Sequence, residues 1–332
     1  AREPARGPDH ADPGGRHAGQ AGLSNRRRRR RDRITPGTRF RFMESLYEIL
    51  GLAPRVVNVL DIGASTLDNA KYSQLIDKKL CDIIAIEPQK NYAPNLGDIG
   101  ENSSVVLADG NRHTFYNTRF PGNSSIFEPD AEIIDLFTGI GAGSPGDNFH
   151  TESATEIDTH RLDDIVESRI DYLKIDVQGA ELIVLENGIE TLENVMVVES
   201  EVLFVPLYKG QPLFDDIVRF MREQGFSFHK FVDIHGRGFR PFQGPNGRRS
   251  MVSQGLWADT IFVRDFRYLK QFSVDQLLRM ACVLHSVYRS YDLCDFILGA
   301  IDAKYGYTNQ TSYRTWLARN QAPVWRFNLV EN

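Results

Sequence analysis

The stretch Val56 to Leu75, VVNVLDIGASTLDNAKYSQL, constrains the fold of this chain more than any other. A β-branched run climbs to Asp61 and passes at once into the small-residue turn Gly63-Ala64-Ser65. Helical spacing follows, with Leu67, Ala70, Leu75 and Ile76 on one face. A buried strand, a tight turn and a helix form the usual entrance to a nucleotide-type site.

The same alternation continues downstream. CDIIAIEP reads as a second strand ended by Pro88, NSSVVLAD as a third, and RHTFYNT as an exposed strand or hairpin arm. Residues 121–150 are loop-like, with a short helical piece around Ile133 to Phe137. TEIDTHRLDDIV gives a short strand and a short helix, IDYLKIDVQ a buried strand, GAELIVLENGIETL the helix behind it, and VMVVESEVLF a further strand. PLFDDIVRFMREQG is an amphipathic helix closed by Gly225, and FSFHKFVDI and LWADTIFVR read as paired late strands. From Phe266 the pattern is all-helical. Alternating strands and helices predict an α/β fold with a mainly parallel, Rossmann-like sheet, helices on both faces and a C-terminal helical extension. Ligands bind such sheets beyond the carboxyl ends of the strands. That rule places Asp61–Ser65, Glu87, Asp109 and Asp176 on one rim, because each ends a predicted strand.

Charge divides the chain. Residues 1–42 carry 12 Lys/Arg against 4 Asp/Glu, including six consecutive arginines from Arg26 to Arg31, and almost no large apolar residue before Ile34. Such a segment buries too little surface to offset its ordering entropy, so a disordered tail is expected. Met43, just before the amphipathic MESLYEILGL, is the expected natural start, the tail being upstream sequence read through. The expected division is a tail at 1–42, a catalytic domain at 43–265 and the helical extension at 266–332. Residues 43–332 carry 27 Lys/Arg against 40 Asp/Glu, an acidic body that argues against broad nucleic-acid binding. No run of about 18 apolar residues occurs, so no membrane partner is expected. Cys81, Cys282 and Cys294 lack CxxC spacing and read as reduced, packed thiols of a cytoplasmic protein; no metal site is expected of them.

The turn itself narrows the ligand. A dinucleotide site needs G-x-G-x-x-G, but here Ser65 and Asp68 stand where the second and third glycines belong. Asp61 and Asp68 repel phosphate, and no GxxxxGK[ST] loop exists. S-adenosylmethionine carries no phosphate. An acid–Gly–small turn (Asp61, Gly63, Ala64, Ser65) suits its zwitterionic end, Glu87 its two ribose hydroxyls, and Asp109 its adenine amino group. The plainer alternative, a tight turn with solvated strand-end acids, stands beside this reading.

The segment YLKIDVQGAELIVLENG, Tyr172 to Gly188, together with VLDIGAS, IIAIEP, LADGNRHTFYN, SSIFEP, TEIDTHRLDDIV and WADTIFVR in that order, resembles the FkbM-type methyltransferase family over about residues 55–264. Relatives commonly carry a second glycine in the first turn, where this chain has Leu67. The resemblance implies a class I S-adenosylmethionine-dependent methyltransferase, here expected to O-methylate a small-molecule or glycan hydroxyl. The alternative is a non-catalytic binding or scaffold protein that retains the fold. A Rossmann oxidoreductase is disfavoured by the missing glycines.

The candidate catalytic residues are Asp176, Glu181 and His160. Asp176, in the segment that lies under the transferable methyl in this fold type, is placed to orient the acceptor hydroxyl, take its proton or hold a divalent metal. Glu181 begins the next helix, where an acid is also simply favourable. His160 is a candidate base, as is His235. Glu199 and Glu201 share a strand face, and one of them is expected to join Asp176 or a structural salt bridge. Asn123, Ser124 and Ser125 are further contact candidates, and the Gly-rich 139–146 loop a lid. The loop from His235 to Arg249 carries Arg237, Arg240, Arg248 and Arg249 among glycines, either to read an anionic or sugar-linked acceptor or as a solvated hairpin tip.

Overall fold

The first strand, β1 (Val57–Ile62), runs between β2 (Cys81–Ile86) and β6 (Tyr172–Ile175), parallel to both. The computed structural model describes residues 44–64, 69–88 and 100–320. The predicted tail, Met43, Ser65, Leu67 and Asp68 lie outside these. β3 (Gly100–Ser103) extends the sheet beside β2, and β7 (Val197–Leu203) beside β6. Among the described residues β9 (Gln254–Arg264) is the one reversed strand of this sheet, antiparallel to β7 and to β8 (Phe226–Arg237). The order of the seven strands is therefore β3-β2-β1-β6-β7-β9-β8. Direction of winding reverses between β1 and β6, the switch point at which such sheets hold ligands. β4 (Arg112–Thr118) and β5 (Thr151–Asp158) form a separate two-stranded ribbon.

Alternate residues of each strand feed two cores, as the two-residue period requires. Val57, Val59, Ile83 and Val197 point to one face, where α1 (Leu46–Leu50), α2 (Asn69–Asp77), α8 (Val274–Ser286), α9 (Tyr291–Tyr305) and α10 (Asn309–Arg319) pack. Leu60, Ile62, Leu173 and Val198 point to the other, covered by α4 (Leu162–Ile165), α5 (Glu181–Glu186), α6 (Ile189–Leu192) and α7 (Phe214–Glu223). A short α3 (Ala131–Ile134) packs in a third cluster with Phe137, Phe149 and Leu256. The C-terminal helices thus share a core with the first strands: Met280, Cys282 and Ile297 are fully buried there. All three cysteines are free and buried, and burial pushes the Cys81 and Cys282 thiols up to about 12.

Two boundaries differ from the sequence reading. The third strand ends at Ser103, not Asp109; residues 104–106 are irregular and Leu107 makes only an isolated bridge to His160. The helix after Asp176 breaks into α5 and α6 at Asn187–Gly188; Gly188 sits against Leu162, whose Cδ2 lies 2.5 Å from where a Cβ would be. Among the described residues, no helix is long and apolar enough to cross a membrane.

Candidate active site

Backbone hydrogen bonds stitch the ends of β1, β2, β3 and β6 into one rim. Gly63 N donates to Ile86 O (2.8 Å), Glu87 N to Ser103 O (2.9 Å) and Asp176 N to Ile62 O (3.0 Å). Gly63 turns the chain at φ +79°, and a Cβ there would fall 1.8 Å from the carbonyl oxygen of Asp176. Only glycine lets β1 and β6 end this close together.

Beyond this rim lie two cavities. The first is lined by Gly63, Glu87, Leu107, Phe115, Ser125 and Asp176, among others. Its walls are apolar apart from a few hydroxyls, Gln178 and the two carboxylates, and among the described residues no Lys or Arg lines it. Glu87, 4% exposed, is set at the tip of β2. That donor set fits an adenosyl sulfonium: aromatic and aliphatic walls for the base, a carboxylate for ribose hydroxyls, and negative charge beside the cation.

The second cavity, about 550 Å³, is lined by Glu201, Tyr208, Trp257, the 139–148 loop and four arginines. Gly122 and Gln178 line both cavities. Gln178 is held with its amide fully used. Its Nε2 donates to Asp176 Oδ1 (2.8 Å) and Glu201 Oε2 (3.2 Å), and its Oε1 accepts from Tyr208 Oη (3.0 Å). Its backbone sits at φ +57°, a conformation non-glycine residues seldom adopt, and Ser125 Oγ donates to its carbonyl at 2.7 Å. Such an outlier is retained where the surroundings over-determine it. The quoted block LKIDVQGAE contains this glutamine, but its junction role was not visible in sequence.

Asp176, Glu181 and Glu201 form a carboxyl cluster in which one oxygen of each lies within 4.8 Å of one oxygen of each of the others. Asp176 lines the first cavity and Glu201 the second; Glu181 lines neither. Glu181 is 1% exposed and accepts from Val177 N (2.8 Å) and Gly179 N (3.2 Å). Burial, then the neighbouring Asp176 charge, pushes its carboxyl up to about 7. Burial, Asp176 and Glu181 likewise raise Glu201 well above the ordinary carboxylate range. This cluster therefore keeps protons near neutrality and can take or give one there.

The raised Glu181 has a stability consequence. In the unfolded chain its carboxyl titrates near 4.5, in the fold near 7. The fold binds the proton more tightly, so this contribution is full below pH 4.5 and is lost as pH rises through 7. The gap corresponds to roughly 3 kcal/mol. Glu181→Gln, a mimic of the protonated acid, is expected to reduce the fall in urea midpoint between pH 5 and pH 8. Parallel wild-type and variant profiles across that range would refute the assignment.

The other expected site residues are placed as follows. Asp61 lies under the rim, 1% exposed, accepting from Tyr72 Oη (2.9 Å) and Lys174 Nζ (3.4 Å). Its carboxyl is raised by burial, which Lys174 partly opposes. Ala64 is buried behind the turn, and Ser65 is outside the described residues. Asp109 is not brought to the cavity wall. Having no strand to carry it to the rim, it lies in a bend, where the Asn111 amide and the His113 ring hold its carboxyl at about 2. His160 is also outside both linings. Its backbone pairs with Val106 and Ala108, and its side chain is exposed.

Glu199 and Glu201 divide the two roles foreseen for them. Glu201 joins Asp176, whereas Glu199 is buried among Lys71, Tyr172 and Tyr288, with Tyr288 Oη donating at 2.6 Å. Tyr288, just past α8, thereby ties the C-terminal helices to the sheet under the rim. Asn123, Ser124 and Ser125 each line one of the cavities. The 139–146 loop is a wall pinned by Asp135, whose oxygens accept from Ala142 N (2.9 Å) and Gly143 N (3.2 Å).

Residues 61–228, half of the chain, match the family described as the methyltransferase FkbM domain. No curated protein matches the sequence. Among solved structures, methyltransferase FkbM from Methylobacillus flagellatus KT is similar at 13% identity and a TM-score of 0.34, over 67% of this chain and 47% of that one. This chain thus spans about half the length of that protein. Precorrin-6y C5,15-methyltransferase from Geobacter metallireducens GS-15 is similar at 11% identity and a TM-score of 0.31, over 66% of this chain and 88% of that one.

Proposed function

The chain belongs to the FkbM methyltransferase family, and we propose that it uses S-adenosylmethionine to O-methylate a small-molecule or glycan hydroxyl. One observation carries this reading. A largely apolar cavity holding Glu87 and Asp176 at the switch point opens beside a second, polar cavity, and Gln178 lies at their junction between Asp176 and Glu201.

In this reading Glu87 holds the ribose hydroxyls, the Gly63 turn approaches the amino-acid end, and Leu107 and Phe115 flank the base. When bound, the cofactor supplies an electrophilic methyl and departs as a neutral thioether. The protein's task is then mainly alignment, worth up to ~7–11 kcal/mol in ideal cases. Asp176 and Glu201 accept from the acceptor hydroxyl and fix its direction, and the cluster takes the O–H proton as the oxygen takes the methyl. Glu181 does not reach either cavity; it acts on Asp176 through their shared charge. Among the described residues the three carboxylates are also spaced to hold a divalent cation, which would lower the hydroxyl's pKa.

Calorimetric titration with S-adenosylhomocysteine tests the reading. Wild type is expected to bind, and Glu87→Ala to bind at least tenfold more weakly, since a charge-assisted hydrogen bond contributes roughly 1.5–3 kcal/mol. No heat with wild type, or full affinity in Glu87→Ala, would remove the cofactor from this cavity and favour the non-catalytic alternative.

A further inference from the structure

Four arginines line the second cavity, with almost nothing there to neutralise them. Arg237, Arg240, Arg248 and Arg249 all line it, yet none has a carboxylate within ion-pair distance among the described residues. Their partners are neutral. Arg240 Nε and Nη2 donate to the carbonyls of Phe137 (2.8 Å) and Ile140 (2.9 Å). Arg237 Nη1 donates to the carbonyls of Gly236 (2.8 Å) and Arg249 (3.0 Å), and its Nε is buried without a partner. The Arg237 guanidinium lies 4.8 Å above the Trp257 ring, which in turn stacks on His235. These contacts fix Arg237 and Arg240 in place without cancelling their charge.

Two acids share the cavity, and neither offsets it. Asp147 accepts from Ser144 N at 2.9 Å and makes no ion pair. Glu201 accepts from Gln178 Nε2 at 3.2 Å and pairs with none of the four arginines. Burial and the repulsion of Arg249 lower the Arg237 pKa, the direction expected where like charges crowd without a counter-ion. The surrounding body is acidic, with 27 Lys/Arg against 40 Asp/Glu over residues 43–332, so this concentration runs against the average of the chain. A solvated hairpin tip needs neither a half-buried, aromatic-stacked arginine nor four of them lining one hollow.

We infer that the acceptor is a phosphorylated alcohol, its phosphate seated among Arg237, Arg240, Arg248 and Arg249 while its hydroxyl reaches the Gln178–Glu201 end of the same cavity. This rests on the methyltransferase reading for the hydroxyl end and on the arginines alone for the phosphate end. A phosphate offers several anionic oxygens to several planar donors at once, whereas a carboxylate saturates with one or two guanidinia. The shared chemistry has two sources, a phosphate monoester and a diphosphate-linked sugar or alcohol.

The test uses the full chain, first titrated with S-adenosylhomocysteine and then, with that ligand bound, with inorganic phosphate, inorganic pyrophosphate and malonate. Arg26 to Arg31 attract anions on their own, so the readout is the difference between wild type and the double variant Arg248→Ala/Arg249→Ala. Both positions are exposed, and their truncation leaves the cores intact. At least one phosphate probe is expected to bind wild type more tightly than malonate and to lose at least tenfold in the variant, with S-adenosylhomocysteine affinity unchanged within threefold. Pyrophosphate binding tenfold tighter than phosphate assigns a diphosphate ester; comparable affinities assign a monoester. Equal anion binding by wild type and variant, or malonate binding as tightly as either phosphate, overturns the proposal. Because the first titration is independent, anion failure with intact S-adenosylhomocysteine binding sinks only this inference. The reverse pattern sinks only the methyltransferase reading.

Discussion

Gly63→Ala is expected to destabilise the protein by more than about 3 kcal/mol and to abolish cofactor binding with it. Two costs add. The backbone at φ +79° is in the left-handed region, which disfavours an L side chain by roughly 1–2 kcal/mol. The new methyl would also meet the Asp176 carbonyl oxygen at 1.8 Å and its carbon at 2.8 Å. Those atoms cannot swing away like a side chain. Asp176 N is bonded to Ile62 O at 3.0 Å, so relief means parting β1 from β6 at the switch point. Gly51→Ala separates the two terms, because Gly51 has φ +64° and nothing within 4 Å of its virtual Cβ. That control should lose only the conformational part. Urea unfolding of both variants decides the matter: equal losses would mean that the close approach of the strand ends is not tight.

Asp176→Asn should have the largest effect on chemistry. The amide keeps the size of the side chain and an oxygen that can accept from Gln178 Nε2, so the junction geometry at 2.8 Å is preserved. What is lost is the anion that orients the acceptor hydroxyl and shares its proton. General acid–base groups contribute typically 10²–10⁴-fold, so labelled-methyl transfer into a cell extract should fall by at least about 10²-fold. Affinity for S-adenosylhomocysteine should stay within a few-fold of wild type. A second readout is independent of turnover. The Asp176 charge is, after burial, the main cause of the raised Glu181 carboxyl, so its removal should lower the pH at which Glu181 titrates. Turnover within threefold of wild type would take Asp176 out of the mechanism, and an unmoved Glu181 titration would take it out of the cluster.

Much of the scaffold was legible because burial on both faces of a parallel sheet leaves a local signature. The runs RVVNVLDI, CDIIAIEP and IDYLKIDVQ are apolar strands ending in an acid, and each forms where the pattern places it, with Glu87 and Asp176 on the rim of the first cavity. The third strand misled for the same reason. VVLAD is apolar because Val105 to Leu107 line a cavity, not because they sit in a ladder, and periodicity does not separate those two kinds of burial. The misplacement carried Asp109 with it. His160 was nominated for its type and for preceding a short helix near the fourth predicted strand, and neither says which way its side chain turns.

The sequence by itself determined the alternating layers, the glycine turn at Gly63, and the acids Asp61, Glu87 and Asp176 at the ends of three strands. All of these depend on neighbours within a few residues. Only the tertiary structure decided which acids meet. Asp176 and Glu201 are 25 positions apart in the chain and are joined by Gln178, whereas Glu199, two residues from Glu201 on the same strand face, is committed to Lys71 and Tyr288. It also decided that arginines from two segments of one hairpin loop face a single hollow with no counter-ion. The physical reason is the same in both cases. Local spacing fixes the face on which a side chain stands, but its partner comes from a distant segment that only the packed sheet brings alongside.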